Sequence, residues 1–254
     1  MTLVSSGNLV DCLYVLNHLS LPKLGQCLFS DLDYTPYDIA AMSPNFLDVM
    51  TRHADWKVLR TVKMSPSQYC RGVQMTWYLE HITSLWELSK REARFSFPFI
   101  KQASEVFQLL QRHPFSSISI TSLFVTETRY HCQNVTPRFL MLPMLAQVES
   151  FYLKERDPYA LRALSSDSTM ILPRLRSLSM GDYFPCFCDN DELDDDCFGC
   201  THDFISILKD RHAKGIPIPE VIFSNLGDIS WINEELSPFA NLVGTVFKIE
   251  TLED

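Results

Sequence analysis

The sequence predicts an α/β repeat protein, with parallel strands stacked side by side on one face and return helices on the other. Two observations carry this expectation. The stretch Leu172-Pro-Arg-Leu-Arg-Ser-Leu-Ser-Met180 sets a frame of apolar positions, and the frame recurs along the chain. Between its copies lie segments of helical periodicity. Strand, return helix, strand in constant order builds a parallel sheet with helices outside.

In an extended segment alternate side chains share a face, so Leu178 and Met180 are expected to point inward and Ser177 and Ser179 outward. Aligned on Leu178, the first copy is Leu21-Pro-Lys-Leu24 with Cys27 and Phe29. Trp56, Leu59, Val62 and Met64 form the second, and Ile82, Leu85 and Leu88 the third. Phe115, Ile118 and Ile120 follow, then Leu142-Pro-Met-Leu145 with Val148, then the template itself. Pro219 with Ile222, and Phe239, Leu242, Thr245 and Phe247, close the series. The anchors are thus 27, 62, 88, 118, 148, 178, 222 and 245, separated by 35, 26, 30, 30, 30, 44 and 23 residues. Helices are expected at 44–50 behind Ser43, at 104–110, at 201–208 with Phe204, Ile207 and Leu208 buried, and at 231–236.

An L-x-x-L-x-L core repeated every 20–29 residues marks a leucine-rich repeat. Steps near 30 predict an irregular solenoid of that kind, with the parallel sheet concave and the helices convex. It is expected to occupy residues 1–254 as a single domain. A doubly wound α/β fold also alternates strand and helix, but it normally opens on a glycine-rich turn. None of the 8 glycines here stands in a G-x-G-x-x-G arrangement.

Composition narrows the function. A net charge of -9 argues against a nucleic-acid binder, which needs a basic face. Eight cysteines with no secretory leader predict reduced thiols in an intracellular compartment, cytoplasm or nucleus. No apolar run approaches the roughly 20 residues of a spanning helix, so no membrane partner is expected.

The Leu-Pro-x-Leu-x-x-Leu opening, the irregular steps, and Asp203-Phe-Ile-Ser-Ile-Leu-Lys-Asp-Arg211 ahead of a strand together resemble the leucine-rich-repeat part of fungal F-box proteins, the basidiomycete set in particular. The resemblance covers nearly the whole chain. It implies a protein-interaction scaffold whose repeats hold a protein or peptide target, while a separate F-box docks the adaptor of a ubiquitin ligase. No F-box is recognisable, because Leu21-Pro22 is followed by Lys-Leu-Gly already in repeat phase. An adaptor is therefore expected only where an F-box stands outside this chain. The asparagine ladder of strict repeats is also replaced, by Ser67, Ala93, Leu123, Leu153 and Tyr183.

On this frame the outward residues beside each anchor form the binding face: Gln26 and Leu28, Thr61 and Lys63, Glu87 and Ser89, Ser117 and Ser119, Gln147 and Glu149, Ser177 and Ser179, Val221 and Phe223. Only Lys63 is basic, which suits a protein or peptide better than phosphate. Trp77, Trp86 and Trp231 are expected to pack in the core or between repeats, an exposed one being a binding anchor instead.

The 44-residue step contains a Cys/acidic insertion, residues 184–202, in which Cys186, Cys188, Cys197 and Cys200 with His202 offer C-x-C and C-x2-C pairs. Short-range thiolate pairs of this sort grip zinc tetrahedrally, making a zinc-binding protein or a metal-dependent enzyme the alternative function. Read blandly, the acidic run is a solvated loop and no cofactor is needed. A calcium site from Asp189, Asp191 and Asp194–Asp196 lacks the glycine and closing glutamate of an EF-hand loop. No nucleophile elbow, P-loop or H-E-x-x-H occurs, and the seven histidines are scattered, so no catalytic residue is expected.

Overall fold

A computed structural model of the chain describes residues 2–8, 26–33, 58–66, 73–93, 95–99, 118–126, 140–154, 158–165, 171–181, 201–224 and 236–250. Their strands are β1 (Thr2–Asn8), β2 (Gln26–Asp33), β3 (Thr61–Pro66), β4 (Val73–Tyr78), β5 (Phe95–Phe99), β6 (Ser122–Val125), β7 (Ser150–Leu153), β8 (Ser177–Gly181), β9 (Glu220–Ser224) and β10 (Val246–Glu250). They form one sheet in the order β1-β2-β5-β4-β3-β6-β7-β8-β9-β10. Only β4 runs antiparallel to its two neighbours, β3 and β5. The helices are α1 (Leu85–Lys90), α2 (Pro158–Ala163), α3 (Thr201–Ala213) and α4 (Ala240–Val243). This is an α/β protein with a mostly parallel sheet.

From β3 through β6 to β10 the strands lie side by side in chain order, all parallel. Their register places Val62, Leu123, Phe151, Leu178, Val221 and Phe247 in one row. Met64, Val125, Leu153, Met180, Phe223 and Ile249 form the next row on the same face. Three positions before the first row stand Leu59, Ile120, Val148, Leu175 and Ile218, so five strands carry the template's L-x-x-L-x-L spacing. None of those fifteen side chains is more than 4% exposed. Along the first row, successive strands from β6 onward are 28, 27, 43 and 26 residues apart.

The expected frame is right at Val62 and Leu178. Its first anchor, Cys27, shares the registered row of Val62 through Phe95 and Trp77, and the frame is displaced at the later anchors other than Leu178. Ile118 and Val148 are buried, but they precede the strands, and the true inward residues are Leu123 and Phe151. At β9 the displacement is one residue: Val221 and Phe223, expected to face outward, are fully buried, and Ile222 faces the other way. Side chains alternate with a period of two, so a one-residue slip exchanges the faces entirely. Counting from Ile218 rather than Pro219 restores the frame.

The third expected strand, at Leu88, is instead α1. Ser84 caps it, accepting from Glu87 N at 3.2 Å, while the Glu87 carboxylate accepts from Thr83 N at 2.9 Å. Ser84-Leu-Trp-Glu87 has capping-box spacing, with the Glu87 carboxylate reaching back to the residue before the cap, a helix-start signal at odds with a strand. Between β3 and β6 the chain spends 61 residues, and within them the reversed β4 and α1 interrupt the regular alternation.

The core joins the inward strand residues to Ala160, Leu161 and Leu164 around α2 and to Phe204, Ile205, Ile207 and Leu208 of α3. The α3 burial matches expectation, and the same face continues one turn further to Arg211, which is fully buried. The end of α3 is a Schellman cap. Ile216 N bonds Arg211 O and Gly215 N bonds His212 O, both at 3.0 Å, with Gly215 at φ +73°. Arg211 forks across the loop into β8, donating through Nη1 to Ile171 O (2.9 Å) and Leu164 O (3.3 Å), and through Nη2 to Leu172 O (3.0 Å). Leu172 holds a left-handed backbone, φ 48°, uncommon for a residue with a β-carbon. Its carbonyl also accepts from Leu175 N at 3.1 Å, so the opening of the template is a pinned turn.

The helices expected at 44–50 and 104–110, and residues 231–235 of the last, lie outside the described residues.

Candidate functional site

The face opposite the core presents Thr76, Lys63, Phe124, Tyr152, Ser179, Ile222 and Lys248 in one registered row. Thr61, Ser122, Ser150, Ser177, Glu220 and Val246 occupy the row at the strand starts. The face is not uniformly open. α1 and its flanking residues lie over its middle: Leu88 of the helix and Ile82 ahead of it, with Leu85 and Ala93 alongside, pack onto Tyr78, Phe124 and Tyr152. Phe124 and Tyr152 stack with centroids 5.5 Å apart. Burial raises the Tyr78 phenol above its ordinary pKa, so it stays neutral.

Tyr152 reaches over β8, where it needs a glycine. A β-carbon at Gly181 would collide with the Tyr152 hydroxyl and come within 3.1 Å of Lys154 O. Gly181→Ala is expected to cost about 1–3 kcal/mol by overpacking. Combined with Tyr152→Phe it should cost less than the two separate losses added together, as measured by a double-mutant cycle in urea.

At the start of β3 and β6, polar groups are consumed by the fold. Thr61, fully buried, donates to Glu80 O at 2.7 Å and accepts from Ile82 N at 3.1 Å. His81 Nδ1 lies 2.8 Å from both Thr121 Oγ1 and Ser122 Oγ. Thr121 Oγ1 also lies within hydrogen-bond distance of Arg60 O, at 3.3 Å. The His81 contacts tie the end of β4 to the start of β6. Ser122 is fully buried and is no nucleophile for an outside substrate.

The expected binding residues therefore separate. Lys63 and Ser177 are half-buried on the face, and Ser179 lies on it but only 6% exposed. Ser119, exposed, and Gln147 and Glu149, half-buried, precede their strands. Glu87 and Ser89 belong to α1, where Ser89 Oγ donates to Trp86 O at 2.8 Å. Thr61 is internal, and Val221 and Phe223 are core, Phe223 packing against Phe204 and Phe247. Gln26 and Leu28 lie on β2. Ser117 is outside the described residues.

Trp77 is buried as expected, whereas Trp86 is 56% exposed on α1, with Lys90 Nζ 3.2 Å from its ring centroid. The sequence reading missed Phe124 and Tyr152 as well. They sit in unbroken apolar runs, Leu123-Phe-Val125 and Phe151-Tyr-Leu153, where alternation is invisible.

The carboxyl of Glu87 is held below its ordinary pKa, chiefly by the Thr83 backbone hydrogen bond. A lowered folded pKa contributes stability above the ordinary carboxylate range and loses it as pH falls through the folded value. Protection of the α1 amides, measured by exchange relative to the unstructured rate at each pH, is accordingly expected to fall at acid pH in the native chain, and to be less acid-dependent in Glu87→Gln.

Cys186, Cys188, Cys197 and Cys200 lie outside the described residues, and His202 falls in the first turn of α3. Among the described residues no three histidine, cysteine, aspartate or glutamate side chains stand together as a metal site. No helix among them is long and apolar enough to cross a membrane. Comparison with protein-family models, curated proteins and solved structures gave no match.

Proposed function

We propose that the chain is a divergent leucine-rich-repeat solenoid acting as a protein-interaction scaffold, its outer sheet face holding a protein or peptide target. One observation carries this reading. Five parallel strands bear the same buried L-x-x-L-x-L frame, and three of the steps between registered strands, 28, 27 and 26 residues, fall within the leucine-rich range. The role resembles that of the target-holding repeats of F-box receptors. The face keeps the expected Lys63 and Ser177 and offers Ile222 in place of the expected Val221 and Phe223.

The test is affinity capture from cell extract with the intact chain beside a Lys63→Glu/Ile222→Glu variant of unchanged thermal stability. A set of proteins held by the first and lost by the second supports the scaffold. Identical recovery by both sinks the assignment of this face. Recovery of a ligase adaptor and cullin decides the F-box branch separately.

A further inference from the structure

We propose that the β8–β10 end of the outer face holds the target, and that the segment it takes is acidic, with an aliphatic side chain among its carboxylates. The inference rests on the outer face being the recognition surface and names the chemistry of what it recognises. The face opens toward that end. Over β6 and β7, Phe124 and Tyr152 lie beneath segment 82–93, and Ser179 of β8 is also buried. Beyond them Ser177 and Ile222 are half-buried, and Val246 is 58% exposed. Val246 stands opposite Glu220 in the register, and Ile222 lies two positions past Glu220 on the same face. The two aliphatic side chains are thus diagonal neighbours on adjacent strands.

Charge is unevenly matched beside this pair. Arg176, leading into β8, lies between two glutamates along the backbone. Its amide donates to Glu149 O at 2.8 Å, and its carbonyl accepts from Glu220 N at 3.1 Å. The Glu220 carboxylate turns the other way and pairs with Lys248. Arg174 and Arg176 are both exposed, and neither guanidinium enters an ion pair with a described residue. In a chain of net charge -9, two unpaired guanidiniums next to an exposed aliphatic pair reverse the local sign. A guanidinium takes a carboxylate through two parallel hydrogen bonds, and arginine clusters read acidic motifs. The chain's overall charge repels an acidic segment from the rest of the surface, which directs it to this end.

Panning a phage-displayed library of random peptides on the intact chain tests this. The enriched peptides should be rich in aspartate and glutamate around a valine, leucine or isoleucine. A synthetic copy of the most enriched peptide should bind more weakly as salt rises. Its affinity should fall roughly 10-fold in Arg176→Glu, and by a similar factor in Val246→Asp. Both positions are exposed, so thermal unfolding should be unchanged in each. Lys209→Glu makes the same charge change at an exposed position of α3, in the layer behind the sheet, and should leave affinity within about twofold. No enrichment, enrichment of peptides without carboxylates, or an equal loss in Lys209→Glu overturns the proposal. Should Arg176→Glu lower the unfolding temperature, Arg176→Gln decides in its place, and affinity unchanged by it overturns the proposal equally. Peptides without carboxylates that lose binding in the Lys63→Glu/Ile222→Glu variant would sink this inference and leave the scaffold standing, so the two readings fail separately.

Discussion

Replacing Arg211 with methionine is expected to cost about 3–5 kcal/mol, the range for leaving strongly hydrogen-bonded buried partners without their charged donor. Methionine fills much of the volume and removes the desolvation cost of the cation. It cannot donate to Leu164, Ile171 and Leu172, whose carbonyls Arg211 receives together. Leu172 then keeps its left-handed backbone with one hydrogen bond fewer to hold it. Lysine restores charge but not the planar fork that spans two chain segments, so Arg211→Lys should lie between. Urea unfolding should show the midpoint falling with an unchanged slope. A loss under about 1 kcal/mol for the methionine variant would mean the loop holds itself.

The guanidinium adds no pH dependence near neutrality. Burial pushes its pKa down to about 10. Above that value the unfolded chain binds more protons than the folded one, so this group's contribution rises with pH there. Below about 10 both states are protonated and its contribution is flat.

The second large effect separates two neighbouring residues. Phe223→Ala is expected to cost about 3–5 kcal/mol, the range for truncating a buried aromatic. Phe223 is fully buried and touches both Phe204 of α3 and Phe247 of β10, so the hole opens where three elements meet. Ile222→Ser, one residue away on the half-buried outer face, should cost no more than about 1 kcal/mol. Comparable losses at the two positions, or the larger at Ile222, would place the register of β9 one residue off.

That register was nearly legible. The template at Leu172–Met180 states the frame in full, and at Leu59, Val62 and Met64 the same spacing locates β3 without error. It misleads where apolar residues are plentiful. Ile118 and Ile120 compete with Leu123 and Val125 as the inward pair, and all four are buried. At β9, Ile222 between Val221 and Phe223 hides the alternation. Other features follow from contacts no periodicity reveals. Arg211 continues an apolar helix face, and its carbonyl partners lie 39 to 47 residues earlier. The reversed β4 keeps Met75 and Trp77 in the core and Thr76 and Tyr78 outside, so its direction leaves no trace in its pattern. α1 was legible, because Ser84 and Glu87 stand at capping-box spacing; the strand frame claimed the same residues first. The buried aromatic cluster beneath α1 draws on β4, β6 and β7 together, a contact that no single stretch of sequence displays.

The central claim is that a single buried frame repeats across the parallel strands β3 and β6 to β9, with β10 continuing the register. Proton NMR of the isotopically labelled chain tests it most directly through cross-strand contacts between α-protons, which are short only in antiparallel pairs. Strong Hα–Hα contacts are expected between β3 and β4 and between β4 and β5, and none between successive strands from β6 to β10. The Leu178 methyls should show contacts to Phe151 on one side and Val221 on the other, the pairs the register sets. Hα–Hα contacts among β6 to β10, or Leu178 methyl contacts to Ile222 in place of Val221, would contradict the repeat frame and the recognition surface proposed on it.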